Sequence, residues 1–497
     1  MKNEIEQIES VDTLAISEVA PPKVSRFSAF ARDVATMSVG TVLAAVFSTL
    51  LVFLIPRLVS VEDFGYWRLF LLYASYTGFL HLGFADGALL RWAGQSLEAL
   101  RPELRPSLKF LFWQQVTLLV SGSAITWWLL HSNARFVGMA VLTYALVYNV
   151  NALLQYSLQA RRRFLPVAAV TAGPTGIFLI LTFLWSLHAI PSFRILIVLY
   201  VVAATCGLCF LWTQARPQTT SDERSARKIG MQYIAMGWPI VLANTTYGLI
   251  QSSDRLVVSA TLPIHQFALY SFAVSTMFVP LTAIPAVSQV FFPHLAAVRE
   301  ESRAKAYSLT TWLIVIAWSL LLPYYFVLAT FVHRFLPKYQ ASLPIAGILL
   351  FGVVFLAGIT ILQSTFFKLC GLQRCFLLYA TAAAVLSFAA VFLAAVRFRS
   401  LIAIAVAQVI AVALWWLLNE WMLRETTGQG AKEWSRILSV LGWSAASYGL
   451  ALWCTPYIGW RISIYYALVA CGLWFSCRKE FRLGWGLLYP TEVGFSG

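Results

Sequence analysis

Charged side chains are scarce in this chain of 497 residues. Only 11% of them are Asp, Glu, Lys or Arg, whereas 60% are hydrophobic, and the mean hydropathy is +0.74. A soluble domain is typically about a quarter charged, so the composition excludes an ordinary soluble protein. Enzyme signatures are also missing: the sequence contains no GxxxxGK[ST] phosphate loop, no HExxH and no DxD-like motif. We therefore expect no enzyme activity, no cofactor and no metal site.

Long hydrophobic runs take up most of the sequence instead. A run of 18 or more apolar residues is long enough to cross a hydrocarbon core of about 30 Å. We predict an all-α polytopic membrane protein with about 14 transmembrane helices, twelve or thirteen being the alternatives. The predicted spans are 34–56, 65–90, 108–130, 136–159, 164–187, 191–213, 232–260, 266–292, 308–333, 342–367, 375–395, 400–423, 435–455 and 461–477.

Positive charge is distributed unevenly over the loops between these spans. Most of the 36 Lys and Arg residues lie on the side that holds the N-terminus, and such loops are typically cytoplasmic. The sequence therefore predicts that both termini are cytoplasmic and that the basic charge contacts membrane lipids rather than nucleic acid. The seven cysteines lie within spans or at cytoplasmic span ends, so we expect no disulfide framework.

A weak internal repeat organises the chain. Residues 61–67, VEDFGYW, align with residues 264–270, IHQFALY, and the flanking spans fall in step. Six spans separate the two copies, which gives them the same orientation, as in transporters built from parallel repeats. We predict two pseudo-symmetric six-helix lobes followed by two additional helices. The expected segments are a cytosolic tail at 1–32, lobes at 33–215 and 231–425, a cytosolic linker at 216–230, two further helices at 434–477 and a cytosolic tail at 478–497.

A stripe of polar residues runs along the seventh span. In the segment NTTYGLIQSSDR, Asn244, Gln251, Asp254 and Arg255 are spaced so that a helix places them on one face. Polar groups at membrane depth are costly unless they face a bundle interior or a water-filled cavity. The stripe is therefore a candidate transport pathway, although Asp254 and Arg255 could instead end the helix in interfacial water.

Other intramembrane polar residues are weaker candidates for the same pathway. Arg68 lies near the outer end of the second span and His81 near mid-membrane, while Asn149 and Asn151 form a polar patch in the fourth span. Each has an alternative role: an arginine can extend to the membrane interface, and a histidine or amide can bond neighbouring helices.

The chain resembles the Wzx-type oligosaccharide flippases of the multidrug/oligosaccharidyl-lipid/polysaccharide exporter superfamily. The resemblance is carried by residues 55–94 and 251–273, and departs from the family pattern at Ser259 and Pro263. The matching positions are Glu62, Asp63, Phe64, Gly65, Leu82, Gly83, Ala88, Arg91, Asp254, Arg255 and Tyr270.

This resemblance implies translocation of a polyprenyl-pyrophosphate-linked oligosaccharide across a bacterial cytoplasmic membrane for surface-polysaccharide synthesis. Arg255, Arg68 and Arg57 would then attract the pyrophosphate, and Asn149, Asn244 and Gln251 the sugar hydroxyls. A polysaccharide polymerase and glycosyltransferases are the candidate protein partners, and a monomer is the simplest assembly because one chain holds both lobes. A cation-coupled drug exporter of the same superfamily and a membrane-embedded glycan polymerase or ligase are the alternatives.

Overall fold

The computed structural model describes residues 23–93, 97–216, 226–282, 300–427 and 431–476, in which every regular element is helical. The helices before residue 217 are α1 Lys23–Leu58, α2 Val61–Ala74, α3 Phe84–Trp92, α4 Leu97–Leu129, α5 Ser132–Ala160, α6 Phe164–Ser186 and α7 Phe193–Ala215. Those that follow are α8 Ala226–Thr261, α9 Ile264–Leu281, α10 Glu300–Leu321, α11 Tyr324–Phe335, α12 Leu343–Ala357, α13 Ser364–Leu369, α14 Gln373–Phe398, α15 Leu401–Thr427, α16 Ala431–Cys454 and α17 Ile458–Ser476.

The apolar composition explains why the fold is all helical. A backbone in hydrocarbon must satisfy its own hydrogen bonds, which a helix does within one segment. Within the described ranges, ten helical segments are long and apolar enough to cross a membrane. Helix α8 is 36 residues long but is not among the ten, because its polar stripe lowers its hydropathy. The prediction of an all-α multi-pass membrane protein is confirmed.

The helices form two groups that meet along α8 and α9. In the first group α1 packs on α6, and α5 packs on α4 and α7; in the second group α14 packs on α8 and α15, and α12 on α15. The pair α16–α17 packs against α10 and α11. Between the groups, α3 contacts α8 and α2 contacts α9. The exact lobe boundaries stay a prediction, and the tails 1–22 and 477–497 and most of the linker lie outside the described residues.

The second predicted span, 65–90, is not one continuous helix. Helix α2 ends at Ala74, a 3-10 turn covers Thr77–His81, and α3 begins at Phe84. The chain passes through the left-handed region at Leu82 (φ 53°) and Gly83 (φ 85°), a conformation that glycine adopts without steric cost. Hydropathy does not reveal this break, because the residues around it remain largely apolar.

Two later spans are also interrupted. The ninth, predicted at 308–333, divides at Pro323 into α10 and α11, since proline cannot donate the backbone hydrogen bond that continues a helix. The tenth contains a π-helical turn at Gly358–Gln363 between α12 and α13. The end of the eighth predicted span, after residue 282, lies outside the described part of the chain.

Candidate functional site

A polar cavity of about 430 Å³ lies between the two groups of helices. Its walls come from the broken second span (α2, the 3-10 turn and α3), from α5, and from α8 on the opposite side. We call it the central cavity. Its charged and polar lining residues are Arg68, Ser75, Tyr76, His81, Asp86, Tyr148, Tyr156, Asn244, Thr245, Gln251, Ser252 and Arg255.

Helix α8 supplies one complete wall through its predicted stripe. Asn244, Gly248, Gln251 and Arg255 follow one another at steps of three or four residues and all line the central cavity. This spacing keeps them on one helical face. Asn244 itself is exposed in this position. The stripe therefore faces space between the two groups of helices rather than lipid.

Two arginines give one region of the central cavity a positive charge. The Nε atoms of Arg68 and Arg255 are buried and have no hydrogen-bond partner in the described residues. Both side chains line the cavity. Arg255 donates from Nη2 to the Gln251 carbonyl oxygen at 3.2 Å, and its Nε lies 3.9 Å from Asp254 Oδ1. The two guanidinium groups, with a single carboxylate beside Arg255, are suited to binding a phosphate-like anion.

Asp254 does not line the central cavity, although it neighbours Arg255. Its side chain is only 3% exposed and points towards α9, where it accepts a hydrogen bond from the Tyr270 hydroxyl at 2.8 Å. It also accepts the backbone N–H of Arg255 at 2.7 Å. Asp254 therefore ties α8 to α9 and lies beside the Arg255 side chain.

His81 and Asp86 form a pair elsewhere in the lining of the central cavity. His81 Nδ1 accepts the Gly83 backbone N–H at 3.1 Å, so Nε2 carries the proton and faces Asp86 Oδ2 at 3.7 Å. Tyr76 spans the interface between the groups, because its hydroxyl contacts the Gly248 carbonyl at 3.3 Å and hydrogen-bonds Ser252.

Besides Asp254, three predicted site residues lie outside the central cavity. Arg57 is exposed at the end of α1. Asn149 is fully buried, and its amide donates to the Thr77 carbonyl at 3.1 Å and to Gln115 Oε1 at 2.9 Å. Asn151 lines a neighbouring cavity inside the first group of helices. Of the predicted set, the central cavity therefore brings together Arg68, His81, Asn244, Gln251 and Arg255.

Several lining residues were not singled out from the sequence. Tyr148 and Tyr156 are eight residues apart on α5, and with Ala152 between them they form one stripe facing the central cavity. A four-residue spacing of aromatic and small residues was available as a signal, but tyrosines at this spacing also occur in packed interfaces. Tyr76 and Asp86 reach the cavity only because the second span breaks, which the sequence did not reveal.

Close helix packing closes the central cavity at the end nearer α3. A Cβ atom at Gly237 would lie 1.9 Å from the Gly83 carbonyl oxygen, and one at Gly87 would lie 1.9 Å from the Tyr233 carbonyl oxygen. The Tyr233 hydroxyl also donates to Glu103 Oε2 at 2.6 Å. In the predicted orientation this is the cytoplasmic end.

Aromatic packing closes the opposite end. The Tyr339 ring stacks on Phe272 with centroids 4.6 Å apart and meets Phe64 edge-on at 5.4 Å. Lys338 donates to the Val59 carbonyl oxygen beside this cluster. The two groups of helices are therefore in contact on both sides of the cavity.

Comparisons with known proteins agree with this architecture. A family model described as "Polysaccharide biosynthesis protein" matches residues 54–337, more than half of the chain. The chain belongs to this family. The predicted membership of a polysaccharide-synthesis family is thereby confirmed. A search of curated proteins finds no match.

Solved structures show the same fold at low sequence identity. The lipid II flippase MurJ in an inward closed conformation superposes with a TM-score of 0.65 at 12% identity, covering 90% of this chain and 99% of that one. An inward-facing MATE multidrug transporter of the MOP superfamily gives 0.56 at 14% identity, covering 79% and 96%. A MATE protein in complex with MaD3S gives 0.54 at 13% identity, covering 80% and 97%. These matches concern the fold alone.

Proposed function

We propose that this protein flips a polyprenyl-pyrophosphate-linked oligosaccharide from the inner to the outer leaflet of the bacterial cytoplasmic membrane. The observation that carries the proposal is the pairing of Arg68 and Arg255 in one polar cavity between the two groups of helices. Membership of a polysaccharide biosynthesis family supports a glycan as cargo.

The physical problem of flipping explains why this cavity is suited to it. A pyrophosphate and a glycan cannot enter hydrocarbon without losing their hydration, and buried charge must be paired. Arginine is suited to phosphate because its planar guanidinium donates two parallel hydrogen bonds. Since Arg68 and Arg255 each keep a buried Nε without a partner in the described chain, a phosphate group would satisfy both. The lipid tail would stay in the bilayer.

Contacts on both sides of the cavity suit alternating access. Transport requires the two contact regions to separate in turn. The cargo favours one of the two conformations only if it binds that conformation more tightly than the other. We infer that α3 and α8 separate for loading at the cytoplasmic end, and that α2 and α9 separate for release. Both termini would be cytoplasmic, and one chain would suffice for transport. Glycosyltransferases would supply the cargo, and a polysaccharide polymerase would consume it.

The test is flipping of a fluorescent short-chain polyprenyl-pyrophosphate oligosaccharide in proteoliposomes. Losing a charge-assisted hydrogen bond costs about 1.5–3 kcal/mol, so Arg68→Gln and Arg255→Gln should each weaken binding roughly 10- to 150-fold. Arg397→Gln is the matched control, because Arg397 is exposed and packs on the Phe398 ring away from the cavity. If both cavity variants transport the lipid at the wild-type rate, the role of these arginines is refuted.

Drug export is the second candidate, because the MATE transporters share the fold. Two guanidinium groups disfavour cationic drugs through direct repulsion. If wild type moves no lipid-linked glycan but extrudes cationic dyes from vesicles, the flippase proposal is wrong and drug export is the function.

A further inference from the structure

A second cavity lies beside the central one, inside the first group of helices. It measures about 290 Å³ and is enclosed by α5, α6 and α7. We call it the side chamber. It shares Tyr148, Ala152 and Tyr156 with the central cavity, so the two spaces adjoin along one stripe of α5. Its other polar lining residues are Tyr144, Asn151, Gln155, Thr171, Thr175 and Tyr200.

The lining of the side chamber is polar but uncharged. Tyrosines, amides and threonines supply hydroxyl and amide groups, and no Asp, Glu, Lys, Arg or His is found among the described residues that line it. Asn151 is only 8% exposed, and its Oδ1 has no hydrogen-bond partner in the described residues. A buried polar atom without a partner is costly and calls for a ligand or water that satisfies it.

Aromatic rings form one wall and are held in place from behind. The rings of Tyr144 and Tyr200 have centroids 5.4 Å apart, and those of Tyr144 and Tyr148 are 5.8 Å apart. Trp67 and Phe178 support Tyr200 at 5.5 Å and 5.3 Å. Water would use only the hydroxyl and amide groups, because the ring faces offer it no ordinary hydrogen bond. A molecule with both hydroxyl groups and apolar C–H faces can use both the rings and the amides.

We propose that the side chamber binds one uncharged sugar unit of the lipid-linked glycan while Arg68 and Arg255 hold its pyrophosphate. This inference rests on the proposed flippase function. The sugar attached to the pyrophosphate is the natural occupant, because the chamber adjoins the cavity that both arginines line. Its volume approaches the lower end of the range for small-molecule sites, about 300–1,000 Å³. A sugar acid is disfavoured, because its carboxylate would lose water without meeting a cation.

The test compares three probes on purified protein in nanodiscs by calorimetric titration. The probes are a short-chain polyprenyl pyrophosphate without sugar, the same lipid carrying one uncharged hexose, and the same lipid carrying one hexuronic acid. We expect the hexose to tighten wild-type binding by about tenfold or more relative to the sugar-free lipid, since sites built to bond a hydroxyl discriminate strongly against its absence. The hexuronic acid should give no such gain.

Two variants remove the chamber in different ways. Ala204→Phe fills the space from α7, where Ala204 is 9% exposed and lines the chamber, and Asn151→Leu replaces the amide by an apolar group of similar size. Both should bring the ratio of the two dissociation constants, sugar-free over hexose, towards one. Val202→Phe is the matched control, because Val202 is 45% exposed on the same helix and does not line the chamber. Its ratio should equal that of wild type.

The outcomes separate the chamber from the flippase proposal. Wild type that binds none of the probes overturns the proposed function. Wild type that binds the hexose lipid no better than the sugar-free lipid overturns the chamber assignment alone. The chamber assignment is also overturned if the ratio of dissociation constants in both Ala204→Phe and Asn151→Leu equals that of wild type. If the hexuronic acid lipid binds as tightly as the hexose lipid, the preference for an uncharged sugar is overturned.

Discussion

Replacing Gly237 by alanine should open the central cavity at its α3 end. The new Cβ atom would lie 1.9 Å from the Gly83 carbonyl oxygen and 2.5 Å from the Gly87 backbone nitrogen. Both neighbours are backbone atoms, so no side-chain rotation relieves the overlap and the helices must separate. Overpacking of this kind costs about 1–3 kcal/mol. Because the cost falls only on the closed state, the ratio of open to closed protein should rise roughly 5- to 150-fold.

A thiol reporter in the cavity measures this shift. Ser252→Cys, in a background whose seven cysteines are replaced by serine, places a thiol in the cavity lining at a position that is only 4% exposed. A hydrophilic maleimide should label it faster in Gly237→Ala by a similar factor, because a buried thiol reacts in the open state. The matched control is Gly442→Ala on α16, because a Cβ there meets nothing within 4 Å.

The reasoning is refuted if labelling is equally fast in Gly237→Ala and Gly442→Ala. Misfolding is checked by gel filtration and thermal unfolding of each variant. Gly87→Ala provides an independent version, since its Cβ would lie 1.9 Å from the Tyr233 carbonyl oxygen. It should raise the labelling rate as well.

Two further substitutions test buried hydrogen bonds. Tyr233→Phe removes the hydroxyl that donates to Glu103 Oε2 at 2.6 Å, so the same reporter should be labelled faster. An unchanged labelling rate would show that this hydrogen bond does not hold the central cavity closed. Glu420→Leu deprives Tyr307 Oη and Gln363 Nε2 of an acceptor at 2.6 Å and 2.9 Å, and should lower unfolding stability by about 1–3 kcal/mol for each stranded donor. Glu420→Gln keeps Oε1 and should lose much less in thermal unfolding; equal losses would contradict this account.

The fold could be predicted from the sequence because membrane insertion leaves few alternatives. Long apolar runs in hydrocarbon must be helices, and most described helices coincide with predicted spans. The breaks could not be predicted in the same way. The break in the second span depends on backbone conformation and on hydrogen bonds that Asn149 of α5 and Gln115 of α4 donate to carbonyl groups of the 3-10 turn, neither of which changes hydropathy.

The candidate site was predictable where a single helix carries it. Asn244, Gln251 and Arg255 share one face of α8, so periodicity alone places them together. Residues contributed by other elements depend on how helices cross. Asp254 follows the same periodicity but turns towards Tyr270 on α9, and the sequence contains no sign of that partner.

Asn149 and Asn244 allow the two roles of an intramembrane asparagine to be separated. Both were predicted to bind sugar hydroxyls. The structure gives Asn149 two hydrogen bonds, one of them to the carbonyl of Thr77 in the broken second span. Asn244 is exposed in the central cavity and makes no hydrogen bond within the described residues. We therefore expect the same substitution to have different effects at the two positions.

Asn149→Leu should lower unfolding stability by about 1–3 kcal/mol, because the Thr77 carbonyl and the Gln115 amide oxygen lose a buried donor. Asn244→Leu should change stability by less than about 0.5 kcal/mol, as surface substitutions usually do, but should weaken binding of a lipid-linked oligosaccharide. Thermal unfolding and calorimetric titration of both variants measure the two effects. If Asn149→Leu is as stable as Asn244→Leu, the break in the second span does not depend on this amide. Arg68 and Tyr76 of that span would then keep their places in the central cavity without it.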